Sequence, residues 1–301
     1  MNKQPILLSG SSNVILAQNV CSELKIKLGH MELNQFPDGE THVKVLEDVR
    51  GRDVFILQSI VGQPNHYLFE LLIIADAVKR SSAKSITAII PYLGYCRQDR
   101  RNKTGVPITA KLVANVLTTA GITNLITFDL HADQIEGFYE THVDHLHCQQ
   151  LFIDTIKSYI SQDCLVVAPD IGSIKIAERT ARMLDTALAV IKKERLNSFE
   201  VRMKLIGDVQ DKNVVIIDDL CSTANTLVEA ANLCKQKGAK KIIATVTHGL
   251  FVGDAIQKIE ASALESLFVT DTIHLQSVSK CIKTLSTAPM IASAIRETVS
   301  F

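Results

Sequence analysis

The sequence predicts an α/β protein. Short β-branched runs recur along the chain, segments with apolar residues three or four apart stand between them, and the rhythm continues over all 301 residues. The first run is Asp53 to Leu57, apolar from Val54 onward, as a parallel strand buried on both faces must be. Leu68, Leu71, Leu72 and Ala75 then mark one stripe of a helix facing that sheet. Ile86 to Ile90 is a second strand. Leu112, Val113, Val116 and Leu117 form the next helical stripe, and Leu125 to Phe128 a third strand. Leu165 to Ala168, Val214 to Ile217 and Ile242 to Val246 repeat the pattern, with a helix over Leu227, Ala230, Ala231 and Cys234 between the last two. Ligands of open α/β sheets bind beyond the carboxyl ends of the strands, so chemistry is sought there.

The length is about twice a typical ~150-residue domain. The polar stretch from Asp144 to Gln150 divides two strand-helix series of similar length, which predicts domains at 1–147 and 148–301. A composition of 47% hydrophobic and 21% charged residues is that of a globular chain. The 32 basic residues cancel the 32 acidic ones, so no global field draws the protein to nucleic acid or to an anionic membrane, and any bound anion is held locally. No apolar run approaches the ~20 residues of a membrane span, and Met1 to Pro5 lacks the apolar core of a signal peptide, so a cytoplasmic location is expected. The 7 scattered cysteines show no paired spacing for zinc or a redox dithiol and are read as small buried hydrophobes.

The most informative segment runs from Val214 to Leu227: a buried strand ending in Asp218 and Asp219, a short turn, then an amphipathic helix. Turn N–H groups and a helix N-terminus attract phosphate, and Ser222, Thr223 and Thr226 add hydroxyls, while the aspartates can accept from vicinal diol hydroxyls. The plainer alternative is a Ser or Thr helix cap beside solvated acids. The segment resembles the phosphoribosyl-diphosphate motif of type I phosphoribosyltransferases and ribose-phosphate diphosphokinases. Ala224 and Asn225 stand where those families have two glycines, and Ser222 where an acid is frequent.

Four further motifs, in family order, resemble the diphosphokinases specifically. Phe36-Pro37-Asp38-Gly39-Glu40 is by itself a hairpin turn, but it matches the loop in which adenine stacks on the aromatic ring, with Asp38 and Glu40 near its amino group, and which reaches a neighbouring subunit's nucleotide. The run from Pro91 to Arg101 is a charged loop after a strand; the resemblance assigns Arg97 and Gln98 to nucleotide phosphate and sugar, with Asn102 replacing a family acid. Phe128 to Gln134 places His131 at a strand end, either structural or, by resemblance, at the metal and ATP site. Asp170, after another strand, suits the ribose side or a second Mg²⁺, with Ser173 in place of a glycine. Lys193 and Arg195 would be solvated charges if read alone; the resemblance makes them the catalytic pair of a flexible loop that closes on the transferring phosphates.

The resemblance implies two similar phosphoribosyltransferase-like domains, each with a central, mainly parallel sheet flanked by helices. It implies a Mg²⁺-dependent transferase that moves the diphosphoryl group of ATP to ribose 5-phosphate for nucleotide biosynthesis. Ribose 5-phosphate would lie on Asp218, Asp219 and Ser222 to Thr226, with His131 and Asp170 at the metal, in a homo-oligomer, commonly a hexamer, with no nucleic-acid or membrane partner. Two rivals are a nucleobase phosphoribosyltransferase, supported only by the shared loop, and a non-catalytic member, suggested by Ser222, Ala224 and Asn225.

Overall fold

The computed structural model describes residues 4–160, 164–195, 201–275 and 279–299, the side chains at 194, 195, 201 and 202 excepted. Their contacts divide the chain into two compact units, Met1–His147 with Thr272–His274 and Ser286–Phe301, and Cys148–Asp271 with Leu275–Leu285.

In the first unit, β1 (Ile6–Ser9) leads to α1 (Val14–Leu24), and β2 (Met31–Gln35) and β3 (Thr41–Val45) form an antiparallel hairpin. Then follow β4 (Asp53–Leu57), α2 (Pro64–Arg80), β5 (Ser85–Ile90), α3 (Thr109–Ala120), β6 (Asn124–Phe128) and β7 (His142–Leu146). The sheet has the order β1-β4-β5-β6-β7 with every pair parallel. Its central strands are apolar on both faces because helices cover both. Ile56, Ala88 and Ile90 pack with Leu71, Ile74 and Val78 of α2 and with Val113 and Leu117 of α3. Leu112, expected in that stripe, is 57% exposed; the buried face of α3 runs instead through Ala110, Val113, Ala114 and Leu117. One residue of helical rotation, about 100°, takes a side chain off the face.

In the second unit, α4 (Gln149–Tyr159) precedes β8 (Cys164–Ala168), α5 (Ile174–Leu184), β9 (Leu188–Arg195), β10 (Val201–Ile206), β11 (Asn213–Cys221), α6 (Asn225–Gln236), β12 (Ile242–Gly249), α7 (Ala255–Glu260), β13 (Ser266–Thr270) and β14 (Ile282–Leu285). The order is β10-β9-β8-β11-β12-β13-β14, parallel except for the β9–β10 pair. From β8 the chain goes first to one side, to β9, and then to the other, to β11. The crevice between the ends of β8 and β11 is thus the switch point, where such sheets bind ligands.

The expected division at 147/148 assigns the last residues to the second half. The final helix, α8 (Ala288–Thr298), belongs instead to the first unit, where its face of Ile291, Ala292 and Ile295 is buried and Arg296 Nη2 donates to the Glu23 carbonyl of α1 at 2.6 Å. An amphipathic stripe demands burial without naming the surface that supplies it.

Candidate functional site

Among the described residues, eight non-glycine residues have a left-handed backbone, including Tyr95 after β5, Asp129 after β6, Ala224 after β11 and Phe251 after β12. Such conformations cost about 1–2 kcal/mol each and persist where the surroundings over-determine them.

In the second unit, the end of β8 supplies Asp170, whose Oδ1 accepts from the Ser173 N–H and Oγ, each at 3.2 Å. The neighbouring β11 supplies Asp218 and Asp219, and the Asp219 N–H donates to Asp218 Oδ1 at 3.0 Å. Burial first, then the charges of Asp219 and Asp170, hold the Asp218 carboxyl well above the usual carboxylate range. Asp170 and Asp219 both act on the Asp218 carboxyl, so negative charge is concentrated at this switch point.

Beyond these acids the chain turns through Ser222, Thr223 and Ala224 into α6. Ala224 has φ +62°, the turn that glycine adopts freely, and the residue is 4% exposed, packed in the unit's core. The alanine therefore keeps the loop's left-handed geometry. Asn225 starts α6, and Thr226 follows in its first turn, where backbone N–H groups lack intrahelical acceptors. Lys193 was expected on a loop; it lies on β9, held in register by Met203 of β10. Its Nζ stands 3.4 Å from Thr226 Oγ1 and 3.3 Å from Glu229 Oε2. The backbone of Arg195 pairs with Val201, and its side chain lies outside the described residues.

Asp218→Asn has a predictable effect on stability. The Asp218 pKa is raised in the folded state, so its contribution to stability is complete below the unfolded pKa and is lost as pH rises through the folded value. The asparagine variant avoids that loss. Without ligands it is expected to melt higher than the parent at pH 8, and the difference should shrink on titration toward pH 4. A pH-independent difference in melting temperature would contradict the assignment.

In the first unit, the hairpin turn closes with the Phe36 N–H donating to the Glu40 carbonyl at 2.8 Å and Glu40 N to Asp38 Oδ1 at 3.2 Å. Gly39 is left-handed at φ +93°. Phe36 is 50% exposed, edge-on to His42 with ring centroids 5.4 Å apart. Arg97 and Gln98 are exposed after β5, with Gln98 Oε1 accepting from Thr109 Oγ1 at 2.6 Å. This loop is seated at Gly94, where a Cβ would stand 2.6 Å from the Ile60 carbonyl oxygen, so only glycine fits there.

His131 is exposed just past β6. Close to it in the chain, Asp129, His145 and His147 bring ligand-type atoms within 4.8 Å of one another, a grouping that spacing along the chain does not reveal. The Leu130 N–H donates to His145 Nε2 at 2.9 Å, and His147 Nδ1 meets Asp129 Oδ1 at 3.1 Å. Burial first, then His147, lowers the His145 pKa, against Asp129, Asp133 and Glu136. The lowered pKa favours the neutral ring, whose Nε2 accepts the Leu130 N–H next to the left-handed Asp129. His131 belongs to the first unit and Asp170 to the second.

The cysteines are all free, with Cys21, Cys96, Cys148, Cys221 and Cys234 buried; burial pushes the Cys221 thiol up to about 12, so beside the turn it is an inert apolar group. No described helix is long and apolar enough to cross a membrane.

The chain thus forms two α/β units, the second with acids at a sheet switch point and a hydroxyl-bearing turn into a helix. A family model described as the N-terminal domain of ribose phosphate pyrophosphokinase matches residues 5–121, and one described as the phosphoribosyl synthetase-associated domain matches 197–300. The chain is 46% identical over 297 residues to a ribose-phosphate pyrophosphokinase of Chromobacterium violaceum, covering 97% of this chain and 90% of that one. To ribose-phosphate pyrophosphokinase A of Dictyostelium discoideum it is 45% identical over 297 residues, covering 97% and 94%. The crystal structure of phosphoribosylpyrophosphate synthetase from Mycobacterium smegmatis matches with TM-score 0.94 and 37% identity over 98% of this chain and 99% of that chain. The chain belongs to the ribose-phosphate pyrophosphokinase family, an enzyme family.

Proposed function

We propose that this chain makes 5-phosphoribosyl 1-diphosphate and AMP from ribose 5-phosphate and ATP. The carrying observation is the helix-entry loop at Ser222 to Thr226, with the acid pair Asp218 and Asp219 before it and the Lys193 ammonium 3.4 Å from Thr226 Oγ1.

The 5-phosphate sits on the N–H groups of the turn and the hydroxyls of Ser222, Thr223 and Thr226, with Ala224 and Asn225 supplying backbone. Asp218 and Asp219 accept from the ribose diol and so orient the sugar. The anomeric oxygen attacks the β-phosphorus; its bond to that phosphorus forms as the bond from the α,β-bridging oxygen breaks. AMP leaves with the bridging oxygen, and the hydroxyl proton passes to solvent. Lys193 and Arg195 stabilise charge spreading over the transferring oxygens, Arg195 on resemblance alone. In the first unit Phe36 stacks the adenine, Asp38 and Glu40 accept from its amino group, and Arg97 and Gln98 hold phosphate and sugar.

Asp170 in the second unit and His131 in the first are the residues that would hold Mg²⁺, each in its own unit, and the ion would supply charge neutralisation to phosphate oxygens. The crowding of Asp170, Asp218 and Asp219 supports a cation on the ribose side. A homo-oligomer, a hexamer by resemblance, is supported by the exposure of Phe36, whose loop reaches a neighbouring subunit's nucleotide, and by exposed Ile15, Phe69 and Leu112 on the same unit. A cytoplasmic location accords with these substrates.

An assay coupled to AMP release tests the reading. AMP should form only when ribose 5-phosphate and MgATP are both present. Release of diphosphate from phosphoribosyl diphosphate with a nucleobase would favour the transferase alternative, and no product in either assay the non-catalytic one.

A further inference from the structure

The loop that enters α6 is braced from the segment after β12. The Leu250 and Phe251 N–H groups donate to the Cys221 carbonyl at 2.8 and 3.3 Å, and the Val252 N–H donates to the Ser222 carbonyl at 2.9 Å. Phe251 has φ +44°, and its ring lies where a Cβ on Gly249 would come within 2.6 Å. Three residues on, Asp254 Oδ1 holds Lys258 Nζ at 2.9 Å, and Lys258 Nζ donates to Asn225 Oδ1 at 3.0 Å. A side-chain bond from this brace thus ends on Asn225, one of the positions where the chain departs from the Gly-Gly pattern.

A carboxamide has an acceptor end and a donor end, and an acceptor turned toward bound phosphate would repel it. Lys258 occupies the acceptor, which leaves the two N–H bonds of the Asn225 side chain as the end available to an anion. Asp254 keeps the ammonium in place, and packing of the buried Ala255 and Ile259 fixes α7 beneath it.

We infer that Lys258 is a positioning residue for ribose 5-phosphate, which orients the Asn225 carboxamide so that its N–H groups replace the close backbone approach that glycine gives elsewhere. The inference rests on the reading of Ser222 to Thr226 as the ribose 5-phosphate loop. It assigns to this chain a side-chain contact to phosphate that a Gly-Gly loop cannot make.

Steady-state kinetics on the full chain test it. Lys258→Met is expected to raise KM for ribose 5-phosphate about 5- to 10-fold, the scale of losing one charge-assisted hydrogen bond, with kcat and KM for ATP within about twofold of the parent. Lys258→Arg should restore KM to within about twofold. In an Asn225→Gly background the Lys258→Met change should shift KM by less than about twofold, because the group it orients is gone. Asn225→Asp, isosteric and still able to hold Lys258, presents a carboxylate to phosphate and should raise KM more than about 10-fold.

An unchanged KM in Lys258→Met overturns the inference. So does an equal rise in both backgrounds, which would mean that Lys258 meets phosphate directly, or a loss confined to kcat. The loop-disabling variant Thr226→Asp separates the two layers. If it abolishes ribose 5-phosphate binding while Lys258→Met is silent, only this inference falls; if it leaves binding intact, the loop assignment falls and the inference with it.

Discussion

Replacing Lys193 by alanine is expected to lower turnover, with both substrates saturating, by about 10²-fold or more, while ATP affinity changes little. Charge on the transferring oxygens spreads as the bond to the β-phosphorus breaks, and a preorganised ammonium stabilises it at that moment more than in the bound ground state. Strand β9 holds Lys193 where its Nζ meets Thr226 Oγ1 at 3.4 Å, so the cation already stands at the loop proposed to take the 5-phosphate. Stability should hardly move, because the ion pair with Glu229 joins side chains 36% and 51% exposed, and such pairs contribute at most about 1 kcal/mol. Rapid-quench turnover and calorimetric ATP affinity check the two halves. Parent-like turnover in Lys193→Ala would remove Lys193 from the chemistry.

Thr226→Asp should abolish ribose 5-phosphate binding and leave the fold intact. The new carboxylate would stand in the first turn of α6, facing bound phosphate and drawing Lys193 into an ion pair, so repulsion and loss of the cation act together. The same acid improves the helix, since a negative charge near an N-terminus stabilises it by about 0.3–1 kcal/mol. A melting temperature equal to or above the parent's, with no calorimetric signal for ribose 5-phosphate in the presence of Mg²⁺ and an ATP analogue, is therefore expected. ATP binding itself should persist, because Phe36, Arg97 and Gln98 belong to the other unit. Retained ribose 5-phosphate binding would place the 5-phosphate elsewhere.

The sequence by itself determined the parallel strands and which polar residues stand at their carboxyl ends. Runs such as Val54 to Leu57 and Val214 to Ile217 are apolar at every position because helices cover both faces of their sheets, and that pattern survives without knowledge of partners. The acids Asp170, Asp218 and Asp219 and the Ser/Thr turn were legible for a related reason: each follows such a run directly, so chain order alone puts it at a carboxyl end.

Tertiary structure decided what depends on contacts between segments distant in the chain. The hairpins β2–β3 and β9–β10 draw their stability from cross-strand pairing and half-buried faces, which weak alternation hardly records, so Lys193 read as part of a loop. The destination of α8 and the outward turn of Leu112 depend on which surface lies opposite each helix. Ala224 could be read only as a departure from glycine until its φ of +62° and its burial placed it. Nor does sequence spacing link Lys258 to Asn225 or His145 to Leu130, because these hydrogen bonds exist only once β12 lies beside β11 and β7 beside β6. Local pattern carries a residue's burial and its place along an element. The partner of a side chain is set by sheet order, which is a property of the folded whole.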